Sequence, residues 1–281
     1  MRRLGFLFFL LAFAAQPAAA QTPLVASLQN ELSMLVTTKS ADLGIAALDL
    51  NTGEMVSVRG NQRYPLASTV KVAVAATYLS YVENGERSLD DKISGHTAAE
   101  LMKLMLVHSN NHATDLLIGN LGGPETVQKW LDWHHVEGVR IDRTIGQLLS
   151  AKRDLYDDRD SSTPIAFVKF LKRLDSGYLI SDKSKAYLLN LMAQCQTGKN
   201  RMKWLLPEGT RVEHKTGTLN GLSDDVGYIT LPNHHRIAIA VFARGGDNRP
   251  NAIAEAAKTV YDGFLAVVGW PYNAAAAISG R

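Results

Sequence analysis

Residues 68–71 read Ser-Thr-Val-Lys and place a hydroxyl and an amine three residues apart at the start of an apolar helical run. Three residues make almost one helical turn, so the amine of Lys71 can reach the oxygen of Ser68. A hydroxyl is a weak nucleophile without a base beside it, and a lysine among apolar residues and other cations can lose its proton near neutral pH. The spacing is typical of a serine nucleophile activated by lysine, but taken alone it arises more often from a helix cap followed by a surface lysine.

Two further polar motifs follow along the chain. Residues 109–111 (Ser-Asn-Asn) lie between two apolar segments, and residues 215–218 (Lys-Thr-Gly-Thr) lie at the end of a predicted strand. In the second motif Lys215 supplies positive charge and Thr216 a hydroxyl, while Gly217 lets a substrate backbone approach closely. Taken singly, each motif is also what an ordinary loop or strand end contains.

The three motifs together, S-x-x-K, S-x-N and K-T-G in this order, resemble those of class A β-lactamases and penicillin-binding proteins. The similarity covers nearly the whole chain after residue 20, including segments 66–79, 99–123, 141–164 and 197–242. The resemblance implies an α+β serine β-lactamase-like fold, in which a five-stranded antiparallel sheet packed with helices lies beside an all-helical lobe.

The resemblance also implies a role for each motif residue. Ser68 would attack the carbonyl of a β-lactam or acyl-peptide and become acylated, and Lys71 would take part in its deprotonation. Ser109 would relay a proton to the leaving nitrogen with help from Lys215. The backbone N–H groups of Ser68 and Thr218 would form an oxyanion hole, in which the loss of one donor typically costs about 10²–10³ in rate. The residues expected to bind substrate are Asn111, Thr216, Gly217, Thr218 and, for the substrate carboxylate, Arg201.

One loop departs from the family pattern. Class A enzymes carry a Glu just after an anchoring Arg, where it activates the water that hydrolyses the acyl-enzyme; here Arg143 and Asp160 match the loop anchors, and we expect a salt bridge between them. The residues between them contain no Glu, and Thr144 and Ile145 occupy its place in a slightly longer loop. A positioned general base contributes roughly 10²–10⁴ in rate, so acylation is expected to persist while deacylation stalls.

Other residues leave alternatives open. Three carboxylates of the longer loop are candidate substitute bases, and the alternative for each is a solvated loop charge. These residues are Asp154, Asp157 and Asp158. Arg201 has the alternative of a solvated loop arginine. Asn110 occupies a position where the family usually has Asp, which puts the local hydrogen bonding in doubt. His108 and His112 have a spacing seen in zinc sites but lack a third ligand, so we expect no metal and no cofactor.

The order of the predicted elements favours an α+β fold with one antiparallel sheet rather than alternating βαβ units. Hydrophobic patterning predicts a helix over 24–36, a hairpin over 43–58, a helix-rich stretch from 68 to about 131, a helix over 165–174, strands over 211–215, 227–231 and 236–244, and a helix over 252–268. We expect one catalytic domain over 21–281, with a sheet lobe at about 21–66 and 200–281 and a helical lobe at about 67–199.

The composition is that of an ordinary globular protein, and the N-terminal pattern predicts export. The chain has 281 residues, of which 46% are hydrophobic and 20% charged, and its formal net charge of +3 lacks the clustered basic residues of a nucleic-acid-binding surface. A basic start, an apolar run over 4–15 and a small-residue cleavage pattern predict a signal peptide over residues 1–20, and no run is long enough for a membrane span. Cys195 is the single cysteine, and we expect it to be a buried apolar residue without an activating partner. We expect a periplasmic monomer.

Three functions share the acylation step. The first is an exported serine hydrolase acylated at Ser68 by β-lactams, with β-lactamase activity weakened by the missing Glu. The second is a penicillin-sensitive peptidase that acts on cell-wall D-Ala-D-Ala peptides. The third is a protein that traps a β-lactam or muropeptide covalently without turnover. The missing Glu favours the second and third, whereas the compact length favours the first.

Overall fold

The computed structural model describes residues 22–269; the predicted signal peptide lies outside them. The helices are α1 (Pro23–Thr37), α2 (Lys71–Glu83), α3 (Ala98–Val107), α4 (Asn111–Leu121), α5 (Pro124–Trp133), α6 (Ile145–Ser150), α7 (Pro164–Asp175), α8 (Asp182–Ala193) and α9 (Arg249–Val267), with a 3-10 helix at Ala67–Val70. The strands are β1 (Asp42–Asp49), β2 (Met55–Val58), β3 (Tyr64–Pro65), β4 (Lys92–Ile93), β5 (His96–Thr97), β6 (Ser161–Ser162), β7 (Val212–Leu219), β8 (Leu222–Thr230) and β9 (Arg236–Arg244). None of the helices in this described range is long and apolar enough to cross a membrane.

Five strands form one antiparallel sheet in the order β2-β1-β9-β8-β7. The N-terminal hairpin and the three C-terminal strands meet where β1 pairs with β9, so that Ile45 lies opposite Val241. The predicted α+β class and the five-stranded antiparallel sheet are therefore confirmed. The short β4–β5 hairpin, which interrupts the helix-rich stretch, was not predicted. The two-lobe boundaries stay a prediction.

Strand β9 shows why helices cover both faces of the sheet. Side chains alternate between the faces of a strand, and on β9 Ile239 and Val241 join the core that contains residues of α1 and α9. Ala240 and Phe242 point the other way and join a larger core with α2–α5, α7 and α8. The ring of Phe242 lies 6.1 Å from that of Phe167 on α7. The sheet is therefore the wall between the two hydrophobic cores.

The β7–β8 hairpin is longer than the sequence pattern indicates. Strand β7 continues to Leu219 and β8 already begins at Leu222, so the predicted strand ends at residues 215 and 227 were wrong. The motif over 215–218 consequently lies inside β7 rather than at its end. Asn220 and Gly221 form the connection, a dipeptide typical of two-residue hairpin turns. Asp224 and Asp225 concealed the start of β8 because aspartate is depleted in strands.

The segment that carries Ser68 is tied to its surroundings on both sides. Before it, β3 pairs with β6, and the N–H of Leu66 donates to the carbonyl of Asp160 at 2.8 Å. After it, α2 is buried at every position from Lys71 to Ser80, as expected of a helix that is apolar all round. Ala67 has φ of +43°, a conformation uncommon for a residue with a Cβ. The backbone at Ser68 is thus fixed by a strand pair and a buried helix.

Candidate active site

Lys71 and Lys215 meet at Ser109. The Nζ atom of Lys215 lies 2.8 Å from Ser109 Oγ, and that of Lys71 lies 3.3 Å from the same oxygen. Lys71 also donates to the carbonyl of Ser109 at 2.7 Å and to Oδ1 of Asn111 at 2.8 Å. The start of α2, the α3–α4 connection and β7 therefore bring the three sequence motifs into one cluster. Ser68 is half-buried in the 3-10 helix, one turn before Lys71.

Burial sets the charge of the two lysines, whose side chains are fully buried. Burial, and then the charge of Lys215, lower the pKa of Lys71 to about 7, although the charge of Asp115 acts in the opposite direction. Burial likewise lowers the pKa of Lys215 to about 8. A substantial fraction of Lys71 is therefore a neutral amine at pH 7, and its three hydrogen-bond partners are neutral oxygens. Such an amine can accept a proton from a nearby hydroxyl.

Gly217 lets β7 approach the Ser68 segment closely. A Cβ at this position would lie 2.9 Å from the carbonyl oxygen of Leu66 and 2.8 Å from Oδ2 of Asp224, so any other residue would push the strand away. The sequence pattern predicts instead that this glycine gives room to the substrate backbone. Its structural reason is the contact between β7 and the residue two positions before Ser68, a contact that sets where Thr218 lies.

Arg201 lies beneath this part of β7 and is only 8% exposed. Its Nη1 donates to the carbonyl of Gly217 at 2.7 Å and to that of Asp224 at 3.0 Å, and its Nη2 donates to Oγ1 of Thr218 at 2.7 Å. The alternative of a solvated loop arginine was therefore wrong. A fixed positive charge lies directly behind the exposed Thr218 hydroxyl, an arrangement suited to binding a carboxylate.

The loop between Arg143 and Asp160 is closed by the expected ion pair. Nε of Arg143 lies 2.5 Å from Oδ2 of Asp160, and Oδ1 of Asp160 accepts the N–H groups of Asp142 and Arg143 at 2.8 and 3.0 Å. Asp157 also pairs with Arg143, at 3.3 Å. The hydrogen bond from Arg159 to Asp157 lowers the pKa of the Asp157 carboxyl to about 2.

The other two loop aspartates are also engaged or exposed. Asp154 accepts the N–H of Tyr156 at 2.8 Å. The side chain of Asp158 is 72% exposed and lies 3.8 Å from Arg63. The three candidate substitute bases thus contact residues outside the catalytic cluster, which weakens their candidacy.

Comparison with known proteins shows the family to which the chain belongs. The model of the β-lactamase enzyme family matches residues 27–264. The chain belongs to the β-lactamase enzyme family. β-Lactamase VEB-1 of Pseudomonas aeruginosa is 28% identical over 272 residues, covering 86% of this chain and 89% of VEB-1.

Solved β-lactamases share the fold. The crystal structure of the TLA-1 extended-spectrum β-lactamase has a TM-score of 0.81 at 28% identity, covering 86% of this chain and 99% of that one. An ancestral class A β-lactamase has a TM-score of 0.79 at 30% identity, covering 84% and 99%. The predicted resemblance is confirmed, and the protein is a class A serine β-lactamase-like hydrolase.

Thr144 and Ile145 follow the anchoring Arg143, where the class A pattern predicts the catalytic Glu, and neither carries a carboxyl group. Ile145 begins α6 and is 4% exposed. Asp115, which the sequence analysis missed, accepts the N–H groups of Ile145 and Gly146 at 2.7 and 2.8 Å. Asp115 lies four residues after Asn111 on α4, a spacing that places both on one helix face and was the available signal. It holds the start of α6 while its charge acts on Lys71.

Two more expectations concern residues around this β-lactamase-like site. Asn110 caps α4, since its Oδ1 accepts the N–H of Ala113 at 2.8 Å, so the local hydrogen bonding is intact despite the departure from Asp. His108 and His112 are exposed, and within residues 22–269 no three His, Cys, Asp or Glu side chains are placed to hold a metal ion.

Cys195 is buried as predicted, at 9% exposure, but the expectation that it lacks an activating partner was wrong. Burial would raise the pKa of its thiol, yet the hydrogen bond and charge of His214 lower it to about 6. His214 immediately precedes Lys215 on β7, and its Nδ1 lies 2.8 Å from Oδ1 of Asp225. Sequence reasoning missed His214 and Asp225 because only the β7–β8 pairing and the end of α8 bring them to the cysteine.

Proposed function

We propose that this protein is an exported hydrolase of the β-lactamase family that β-lactams acylate at Ser68 and that hydrolyses the resulting acyl-enzyme slowly. The observation that carries the proposal is the cluster in which Lys71, one turn after Ser68, and Lys215 converge on Ser109. Nucleophilic catalysis by serine requires a base and a proton relay of this kind.

Each residue of the cluster has a step in acylation. The neutral amine of Lys71 takes the proton of the Ser68 hydroxyl as its oxygen attacks the β-lactam carbonyl. The N–H groups of Ser68 and Thr218 stabilise the oxyanion. When the C–N bond breaks, the Ser109 hydroxyl gives its proton to the leaving nitrogen and regains one from a lysine ammonium.

Substrate binding follows from the same surface. The hydroxyls of Thr216 and Thr218, with Arg201 behind them, take the substrate carboxylate, while Gly217 lets β7 lie close to the Ser68 segment and so places the strand edge along which the substrate backbone binds. Asn111, which already accepts a hydrogen bond from Lys71, binds the side-chain amide of the substrate. Small β-lactams or acyl-D-Ala-D-Ala compounds fit these roles, whereas nucleic acid does not.

Deacylation is the step that lacks its base. Ile145 supports this part of the proposal, because an isoleucine cannot activate water and a general base contributes roughly 10²–10⁴ in rate. The same observation favours a second function, a penicillin-sensitive D-Ala-D-Ala peptidase or a non-turnover trap. The basic, apolar and small-residue pattern of residues 1–20 supports export to the periplasm, where we expect a monomer.

Intact-protein mass spectrometry after mixing with a penicillin tests the proposal. We expect an adduct that persists for hours, that is absent in Ser68→Ala, and that is retained in Ser27→Ala, a control at an exposed serine of α1. The absence of an adduct would overturn Ser68 as the nucleophile. Clearance within seconds would overturn slow deacylation. Release of D-Ala from an acyl-D-Ala-D-Ala peptide would identify the peptidase.

A further inference from the structure

A groove outside the catalytic cluster runs along α7. Its walls are α7 and residues 135–138, which follow α5, and its volume is about 640 Å³. That volume falls within the roughly 300–1,000 Å³ of cavities that bind small molecules. None of the residues proposed for acylation or for substrate binding lines the groove. The groove is therefore a second concave surface, separate from the site at Ser68.

The floor of the groove is apolar. Val136, Ala166 and Phe170 line it with no more than 9% of their surface exposed, and Ile165 lines it as a half-buried residue. The lining residues of α7 begin at 165 and end at 173, a length of about 12 Å at the rise of an α-helix. A linear apolar chain can therefore lie along this floor and bury its surface there.

Contacts between the two walls hold the groove open. Gly138 has φ of +80°, and a Cβ there would lie 2.7 Å from Cβ of Ala166, so a glycine lets residues 135–138 pack against α7. Nη1 of Arg173 donates to the carbonyl of His135 at 2.6 Å and joins the same two walls. The groove is thus formed before any ligand arrives, which reduces the free-energy cost of binding.

Two lysines of the groove have no anionic partner. Lys169 and Lys172 are exposed and form no ion pair within residues 22–269. Asp175, the acidic residue that follows them on α7, pairs instead with an arginine of β9 at 2.8 Å. The lining contains one carboxylate, Glu137, against three cations, which are the two lysines and Arg173. The resulting excess of positive charge attracts an anion.

The apolar and cationic residues occupy different ends of the groove. Ile165 and Ala166 lie in the first turn of α7, whereas Lys169, Lys172 and Arg173 lie in its second half. The helix dipole favours cations in the last turn, but Lys169 precedes that turn. This arrangement matches a ligand that is apolar along its length and anionic at one end.

We propose that this groove is a binding site for a linear amphipathic carboxylate, whose chain lies over the apolar floor and whose carboxylate lies beside Lys169 and Lys172. A medium-chain fatty acid has this chemistry. The inference goes beyond the proposed function and does not rest on it, because the groove and the cluster at Ser68 share no residue.

NMR titration of the isotope-labelled protein tests the proposal, with octanoate as the anionic probe and 1-octanol as the uncharged probe of equal length. We expect saturable shifts at residues 135–138 and 165–173, and weaker octanoate binding at high salt. Lys169→Ala combined with Lys172→Ala should weaken octanoate binding about tenfold, the value of two surface ion pairs, and leave octanol binding unchanged. Ile165→Asn should weaken the binding of both probes.

Lys103→Ala combined with Lys183→Ala is the matched control. It removes the same charge from exposed positions on α3 and α8 outside the groove and should bind octanoate as the wild type does. Thermal melting identifies which variants are folded. The inference would be overturned by the absence of saturable shifts, or by an equal loss of octanoate binding in the control. Binding to anionic phospholipid vesicles without octanoate binding would assign the charge to a membrane surface instead.

The penicillin adduct separates this site from the catalytic one. Octanoate should bind with the same affinity to the free protein, to Ser68→Ala and to any adduct at Ser68. Displacement of octanoate by the adduct would place the carboxylate at the catalytic cluster and overturn the inference. A wild type that forms no adduct but still binds octanoate would overturn the proposed function and leave this inference standing.

Discussion

Replacement of Lys215 by alanine tests whether a neighbouring charge sets the protonation of Lys71. Both Nζ atoms contact Ser109 Oγ, at 2.8 and 3.3 Å, so they lie no more than about 6 Å apart. Two like charges at that separation repel by roughly 3 kcal/mol at an effective dielectric constant of about 20, which corresponds to about two pH units in pKa. Loss of Lys215 should therefore raise the pKa of Lys71 from about 7 by at least one unit.

The sign of the effect follows from the role of Lys71 as a base. Acylation needs the neutral amine, so its rate rises with pH through the pKa of Lys71, and a higher pKa moves this rise to higher pH. Stopped-flow acylation by a chromogenic cephalosporin should give a half-maximal pH near 7 for the wild type and above 8 for Lys215→Ala. The plateau should also fall, because Ser109 loses a hydrogen-bond partner.

Lys215→Arg is the control that separates charge from the loss of contacts. Arginine keeps the positive charge, so the half-maximal pH should stay near 7 even where its different shape lowers the plateau. The reasoning would be refuted if Lys215→Ala had its half-maximal pH where the wild type has it, since the repulsion would then have no part in the pKa of Lys71.

Further predictions concern single residues of the site and its loop. Ile145→Glu should shorten the lifetime of the penicillin adduct by about 10²-fold or more, whereas Ile145→Gln should leave it unchanged; equal lifetimes in mass spectra taken over time would contradict this. Asp115→Asn removes the charge that raises the pKa of Lys71, so the rise in acylation should move to lower pH in the same stopped-flow assay. Lys71→Met should raise the melting temperature more at pH 6 than at pH 9: the pKa of Lys71 is lower in the folded state, so the native state binds fewer protons and its stability falls as the pH falls from about 10 to about 7. A uniform gain would argue against a lowered pKa. Asp160→Asn breaks a largely buried pair with Arg143 and should cost about 3 kcal/mol in urea unfolding.

The fold was predictable where apolar residues alternate and hidden where a strand carries buried charge. Residues 236–244 alternate cleanly between two cores, and both ends of β9 were predicted correctly. The first half of β8 was missed because Asp224 and Asp225 resemble loop residues. Their burial depends on tertiary contacts: Asp225 has His214 and the Met202 N–H as partners, and burial raises the pKa of the Asp224 carboxyl well above its usual value.

The properties of the candidate site also divide into those that the sequence predicts and those that only the fold determines. Its motif residues could be predicted because Ser109 and Lys215 lie in short patterns whose chemistry is legible in sequence. The charge of a buried group could not, because it arises from neighbours that only the fold brings together. Cys195 illustrates this: nothing near it in sequence indicates an imidazole, and its thiol is activated by a residue 19 positions away, on β7.

The loop that lacks the catalytic Glu still holds the parts of the site together. The residues at the two ends of the loop are not among the proposed catalytic residues. The carbonyl of Asp160 nevertheless accepts the N–H of Leu66, two residues before Ser68. The loop also contacts the β7–β8 turn, because a Cβ on Gly221 would lie 2.9 Å from Cδ1 of Leu155. The absence of a carboxyl group at Thr144 and Ile145 leaves these contacts in place. The residues proposed for acylation come from α2, the α3–α4 connection and β7, so we expect the missing carboxylate to slow deacylation and to leave acylation intact.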